Sequence, residues 1–347
     1  MPNKLELQRY SFEMNSRKWI TFIFIIAYIL GVNSGKKWIK LFLIVVVLIV
    51  SISIFFGYYY FYMYHKPIPI ISAGKDKFGI KEIYPTKPGG EQWFMNMDNP
   101  NDDSRTDPQT TLIKNNDGSA SWKIQSPEVR YNIYTSSGFQ PHLITTLNQK
   151  ELSKKGYMQS PNDWKNVEIT GYFKINSFTN STANGAAHIE LVARGAKNTN
   201  DETLINGLPE KCESTTYHSN TYETGRVKFE KDLEHIQGYT TGDKEKLHAI
   251  KKPLLGRWIG IKAVFYNLPD GSVKLEQFID ENSNNNWHRV LSYIDDGHWG
   301  GGIPECGGSD NQIITWGGPI AIFRWDNIDN MDVKDFSIRE IKPNTKE

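Results

Sequence analysis

Glu230, Asp232 and Glu234 stand two residues apart in the string Glu-Lys-Asp-Leu-Glu. On a β-strand that period aims all three carboxylates at one face. Two carboxyl groups flanking a glycosidic bond can hydrolyse it, one as nucleophile or base and one as proton donor. The donor needs a raised pKa and therefore a partly dry setting. Arg226, Lys228 and Lys231 crowd the same segment, and nearby cations favour the ionised form. The string reads equally as a solvated strand face, and no hydrolysis is expected from it.

A second set points to elimination. Opening a uronate polymer takes a cation to neutralise the carboxylate, a proton-moving pair and a helping amide. His188, Glu190 and Arg194 share one strand-period stretch, in which Glu190 and Arg194 are four apart and so on one face. Tyr217 and His218 could supply the acid and base. Without catalysis, Glu190, Arg194, Tyr217, His218 and Arg226 form a polar sheet face. Sugar recognition needs such hydrogen-bonding groups beside flat rings. Trp299, in the glycine-rich loop 297–308 beside His298, is the tryptophan expected to be exposed. No phosphate-cradling G-x-x-x-x-G-K-S/T, H-E-x-x-H or G-x-S-x-G string occurs.

These residues lie in the later part of a 347-residue chain whose net charge of +1 argues against a broad nucleic-acid surface. The average hides a split. Residues 1–66 carry eight Lys/Arg against two acids, which leaves 32 basic against 37 acidic in 67–347. The basic end is also the greasy end, a membrane signature. Residues 41–64 are 24 consecutive uncharged positions ending in a crowd of Phe and Tyr. As a helix they would extend about 36 Å, enough to cross a hydrocarbon core of about 30 Å. A shorter apolar run, 19–32, is a possible second span within the basic segment 1–40. Lys36, Lys37 and Lys40 before the long run place residues after 66 outside the cytoplasm.

Pro67 and Pro69 mark 65–75 as an extended spacer. Beyond it, strand-period stretches dominate. Ile259, Ile261, Ala263 and Phe265 share one face of 257–266, the turn 267–271 follows, and 273–281 alternates again. With 287–293 this is a meander, and 319–326 with 333–341 is expected to be a closing pair. Earlier strands are expected over 91–97, 119–125, 129–135, 167–178, 187–194, 213–219 and 224–233. A dozen short strands over 76–343 point to an all-β jelly-roll sandwich. In an exported domain Cys212 and Cys306 most simply form one bridge. Asn180 heads the sole N-x-S/T sequon noted.

The order from 258 to 281, a short strand, then 317–327 and 333–341 resembles the C-terminal half of concanavalin A-like lectin/glucanase domains. Members place a hairpin, a glycine-led strand ending in Arg-x-Asp and a final strand in that order. The similarity covers roughly 160–343 well and 76–135 loosely. It implies glycans: lectins, glycoside hydrolases and alginate-type polysaccharide lyases share the fold. It would make Glu230 nucleophile, Asp232 helper and Glu234 acid/base. The sequence departs from that pattern at Lys231, where an apolar residue belongs, and from the lyases in lacking their Q-I/V-H and Y-x-K-x-G-x-Y strings. The resemblance also implies a structural Ca²⁺ near the last strands, with Asp326 and Asp332 as ligands. The expectation is a membrane-anchored extracellular domain that binds glycan or surface polysaccharide without catalysis. The alternatives are a glycan-degrading enzyme, either glucanase or lyase, and a structural envelope protein.

Overall fold

The computed structural model describes residues 74–108, 111–134, 164–179, 186–195, 215–233, 244–301, 310–318 and 320–343, together with Ser53. The runs 19–32 and 41–64 (Ser53 apart), Asn180, Glu234, Cys212 and Cys306 lie outside these residues. Among the described residues no helix is long and apolar enough to cross a membrane.

The described strands are β1 (Gln92–Phe94), β2 (Thr106–Pro108), β3 (Ile113–Lys114), β4 (Trp122–Ile124), β5 (Glu128–Tyr134), β6 (Val167–Ser177), β7 (His188–Gly195), β8 (Thr215–Tyr222), β9 (Val227–Leu233), β10 (Lys244–Lys246), β11 (Trp258–Asn267), β12 (Val273–Asp280), β13 (His288–Asp295), β14 (Ile320–Asp326) and β15 (Asn330–Glu340). They form two antiparallel sheets. The eight-stranded sheet runs β13-β12-β11-β6-β15-β4-β3, with β1 also on β15, and the seven-stranded sheet runs β10-β9-β8-β7-β14-β5-β2.

Period-two alternation builds the core between them. Ile259, Ile261, Ala263 and Phe265 of β11 face Val129, Tyr131 and Ile133 of β5, Ile189 and Leu191 of β7, and Phe323 and Trp325 of β14 in one buried cluster. Each such aliphatic or Phe side chain contributes about 1.5–3 kcal/mol by leaving water. The expected meander is β11-β12-β13. The expected closing pair is not a pair: β14 belongs to the seven-stranded sheet and β15 to the eight-stranded one. Both strands are apolar on their core side, so sequence alone shows them as neighbours when they are opposed layers.

Residues 74–90 pack on part of the outer face of the eight-stranded sheet. Ile80 and Ile83 of that segment pack with Tyr172, Val264, Phe278, Trp287 and Ile341. The Ile83 and Tyr84 amides donate to Glu168 Oε2 at 3.0 and 3.3 Å. Glu168 also takes Lys262 Nζ at 2.9 Å and Arg339 Nη2 at 2.8 Å, and Arg339 reaches Glu82 at 3.0 Å. Burial would raise the Glu168 pKa, but the charges of Lys262 and Arg339 hold it below the usual value.

Candidate functional site

The outer face of the seven-stranded sheet carries polar side chains in register. One row crosses six strands: Glu245 (β10) opposite Lys228 (β9), then Asn220 (β8), Glu190 (β7), Arg324 (β14) and Arg130 (β5). Five inter-strand steps make this row roughly 24 Å long. Toward one end of the sheet lies a shorter row, Tyr222, His188, Asp326 and Glu128. Toward the other lie Glu230, His218, Val192, Ile322 and Asn132.

The hydrogen bonds run from strand to strand. Glu190 is central: its Oε1 is 2.7 Å from His188 Nε2 and its Oε2 is 2.8 Å from His218 Nδ1. Arg324 lies 3.6 Å from Glu190 and 2.7 Å from Asp326. Asn220 donates to Glu230 at 2.8 Å, and Lys228 pairs with Glu230 at 2.9 Å. Burial alone would raise the Glu190 pKa; the hydrogen bonds from His188 and His218 and the charges of His218 and Arg324 hold it well below the usual carboxylate value. Burial works against a charged His188, yet the hydrogen bond and charge of Glu190, with help from the Ala186 carbonyl and Asp326, raise its pKa.

One ring in this patch is clasped on both sides. Tyr222 stacks on His188 with ring centres 4.9 Å apart, and the Arg226 guanidinium sits 3.7 Å from its centre. Arg226 also pairs with Glu245 at 3.1 Å. The β8–β9 turn sets this stack. Gly225 takes φ +78°, and a Cβ there would meet the Ile250 carbonyl at 2.2 Å, so only glycine fits.

The structure keeps some expected site residues together and separates others. Glu190, His218, Arg226, Glu230 and Asp232 share the outer face, as the alternation implies. Tyr217 does not: it points into the sandwich, donates to Asp295 at 2.6 Å and receives the Ile314 amide at 3.2 Å. Consecutive residues on a strand face opposite ways, so Tyr217 and His218 cannot act on one substrate.

Arg194 is turned away as well. The ladder between β14 and β7 shifts between Ile320 and Ile322, and Arg194 takes φ +60°. This bulge breaks the parity on which a shared face with Glu190 depended. The guanidinium is buried, donating to the Ile314 carbonyl at 2.7 Å and to Asn166 at 3.3 Å. Burial lowers its pKa to about 10.

Trp299 is a further correction. It is 1% exposed, stacks on Tyr217 at 6.1 Å and meets Tyr293 edge-on at 5.0 Å. It is a core residue, not a sugar platform. Lys231 takes the core-facing position and is buried, paired with Asp295 at 2.8 Å and donating to the Gln312 carbonyl. Asp326 and Asp332 also part company: Asp326 faces His188 and Arg324, while Asp332, on the other sheet, pairs with Lys174 at 3.5 Å. They do not form one calcium site.

Asn220, Tyr222 and Arg324 are members of the patch that the sequence reading left out. The signal was present: His218, Asn220 and Tyr222 keep period two, but the polar Ser-Asn-Thr-Tyr run resembles a turn more than a strand.

No family model and no curated protein matches the chain. Among solved structures it is similar to a Bacillus subtilis protein of unknown function with a galectin-like fold, at 10% identity over 75% of this chain and 100% of that one, TM-score 0.41. It is also similar to the winged bean acidic lectin complexed with methyl-α-D-galactose, at 8% identity over 73% and 100% of the two chains, TM-score 0.38. A third is the marine PL-14 alginate lyase from Aplysia kurodai, at 8% identity over 66% and 87%, TM-score 0.37.

Proposed function

We propose that the chain binds an acidic polysaccharide on the outer face of the seven-stranded sheet, without cleaving it, from an anchored position outside the cytoplasm. The anchor is the run 41–64, and the lysines before it set the orientation. The observation that carries the binding reading is the row from Glu245 to Arg130. It sets cations, an amide and carboxylates across six strands, beside a tyrosine ring clasped by His188 and Arg226. Planar guanidinium groups such as Arg324, Arg130 and Arg226 suit carboxylate recognition. On the eight-stranded sheet, part of the outer face is taken up by residues 74–90 instead.

A second reading is favoured by one arrangement. His218, Asn220 and Tyr222 share a face of β8, Glu190 fixes the His218 ring through Nδ1, and Arg324 also lies against Glu190. These are a base, an amide, a tyrosine and a cation, the components that β-elimination from a uronate requires.

The test is a screen of the purified full-length chain in detergent against uronate polymers and neutral β-glucans. Retention on the uronate polymer, reduced at least tenfold by Arg324→Ala, is expected, with no product formed. Equal retention of both variants would remove the proposed face. Unsaturated-uronate absorbance that vanishes in His218→Ala would make the protein a lyase. Reducing ends that vanish in Glu230→Gln would make it a hydrolase.

A further inference from the structure

Among the described residues, His188, Glu190 and Asp326 are the three-ligand group of His, Cys, Asp or Glu close enough to hold one ion: a donor atom from each lies within 4.8 Å of the other two. His188 and Glu190 are two apart on β7, and Asp326 stands opposite His188 on β14. We propose that these three residues bind a divalent first-row transition ion of the Zn²⁺ kind. The inference does not rest on the carbohydrate reading.

The donor chemistry selects the metal class. One imidazole and two carboxylates suit zinc and its neighbours, whereas calcium takes six to eight oxygens and no imidazole. Tetrahedral zinc, with bonds of about 2.0–2.2 Å, sets its donors about 3.3–3.6 Å apart. His188 Nε2 and Asp326 Oδ2 are 3.6 Å apart. His188 Nε2 and Glu190 Oε1 are 2.7 Å apart, a hydrogen-bond distance that a bound ion must widen.

The supporting shell is already in place. His188 Nδ1 lies 2.8 Å from the Ala186 carbonyl. A carbonyl only accepts, so Nδ1 carries its proton and Nε2 is the atom turned to the carboxylates. Metal-binding histidines characteristically donate their other ring N–H in this way. Glu190 Oε2 is held by His218 at 2.8 Å and Asp326 Oδ2 by Arg324 at 2.7 Å. Asp326 Oδ1 is buried with no hydrogen-bond partner among the described residues. An ion bound by Asp326 would give that oxygen a partner, as would a water. His188 and Asp326 each keep 16% of their side-chain surface exposed, which gives an ion a way in.

The experiment is calorimetric titration of the full-length chain, stripped with EDTA, by Zn²⁺ and separately by Ca²⁺. One Zn²⁺ per chain is expected, with Ca²⁺ at least 100-fold weaker. His188→Gln and Asp326→Asn should each weaken Zn²⁺ at least 30-fold, while Asp332→Asn on the other sheet should leave it unchanged. Co²⁺ bound to the unaltered chain, and displaced by one equivalent of Zn²⁺, should show the visible absorption of a low-coordinate site; this readout needs no variant to fold. Absence of Zn²⁺ uptake, uptake unchanged by both ligand substitutions, or Ca²⁺ binding as tight as Zn²⁺ would overturn the assignment. Polysaccharide retention is measured separately, so either proposal can fail alone.

Discussion

The two outer faces of the sandwich each bury a carboxylate, Glu168 on one and Glu190 on the other, but surround it differently. On the eight-stranded sheet, Glu168 meets Lys262, Arg339 and two backbone amides from the covering segment, all deep under apolar side chains. On the seven-stranded sheet, carboxylates, cations and amides answer each other along cross-strand rows, and members at the margin keep part of their surface in solvent: Arg226 30%, Glu245 26%, Lys228 20%. The first arrangement fastens one part of the chain to another. The second ties neighbouring strands to one another, with Glu190 and His218 buried at its centre. Charge buried under a cover is costly to leave unmatched, whereas charge at a rim is not. The contrast can therefore be measured as stability.

The largest effect is expected at Glu168. Glu168→Gln leaves Lys262 and part of Arg339 as uncompensated buried cations and releases the anchor of Ile83 and Tyr84. A loss of about 3–5 kcal/mol in urea unfolding is expected. A loss below about 1 kcal/mol would mean that the cover is held by its apolar contacts alone, and that the two faces do not differ in the way described.

Acid should shrink that difference. The folded-state pKa of Glu168 is depressed: burial pushes it up, but Lys262 and Arg339 bring it below the ordinary carboxylate value. A depressed carboxylate contributes stability that is complete above its unfolded pKa, about 4.3, and is lost as pH falls through the folded value. The glutamine variant has no such group to protonate. The stability gap between the two proteins should be constant from pH 7 to about 5 and narrow below about 4. Parallel unfolding midpoints down to pH 3 would show that Glu168 is not held ionised by this network.

The two faces also differ in how well sequence announces them. Alternation located the long strands, because buried Ile, Val and Phe at period two leave a plain signal, as in 257–266 and 167–177. It also placed Glu190, His218, Glu230 and Asp232 on one side correctly. It failed wherever parity is broken by backbone geometry. The bulge and positive φ at Arg194 have no signature in the residue types, and they moved a chosen cation from the outer face to the interior. Trp299 failed for a different reason: a glycine-rich loop looks exposed, but the Tyr217 and Tyr293 rings receive the indole. The expected spacer ended at 75 and the first expected strand began at 91, so the residues of the cover had no assigned place between them. What buries them is the opposite side of strands whose core side alone was considered.

The smallest effect is expected at Arg226, and it sharpens the comparison from the other direction. Its guanidinium makes two contacts, a stack on Tyr222 at 3.7 Å and an ion pair with Glu245 at 3.1 Å. Glu245 and the arginine itself lie at the margin, with about a quarter to a third of each side chain in solvent, while the Tyr222 ring is buried. Exposed ion pairs are worth about 0–1 kcal/mol and exposed cation–π contacts about 0.5–1 kcal/mol. Water replaces most of what is lost, so Arg226→Ala should lower stability by only about 1 kcal/mol. The same substitution removes the planar cation beside the Tyr222 ring, so retention on a uronate polymer should fall severalfold. Arg226→Lys should recover the ion pair but not the stack, and leave retention between the two. A stability loss above about 3 kcal/mol with retention unchanged would instead make Arg226 a fastening of the fold, like Glu168, and erase the distinction between the two faces.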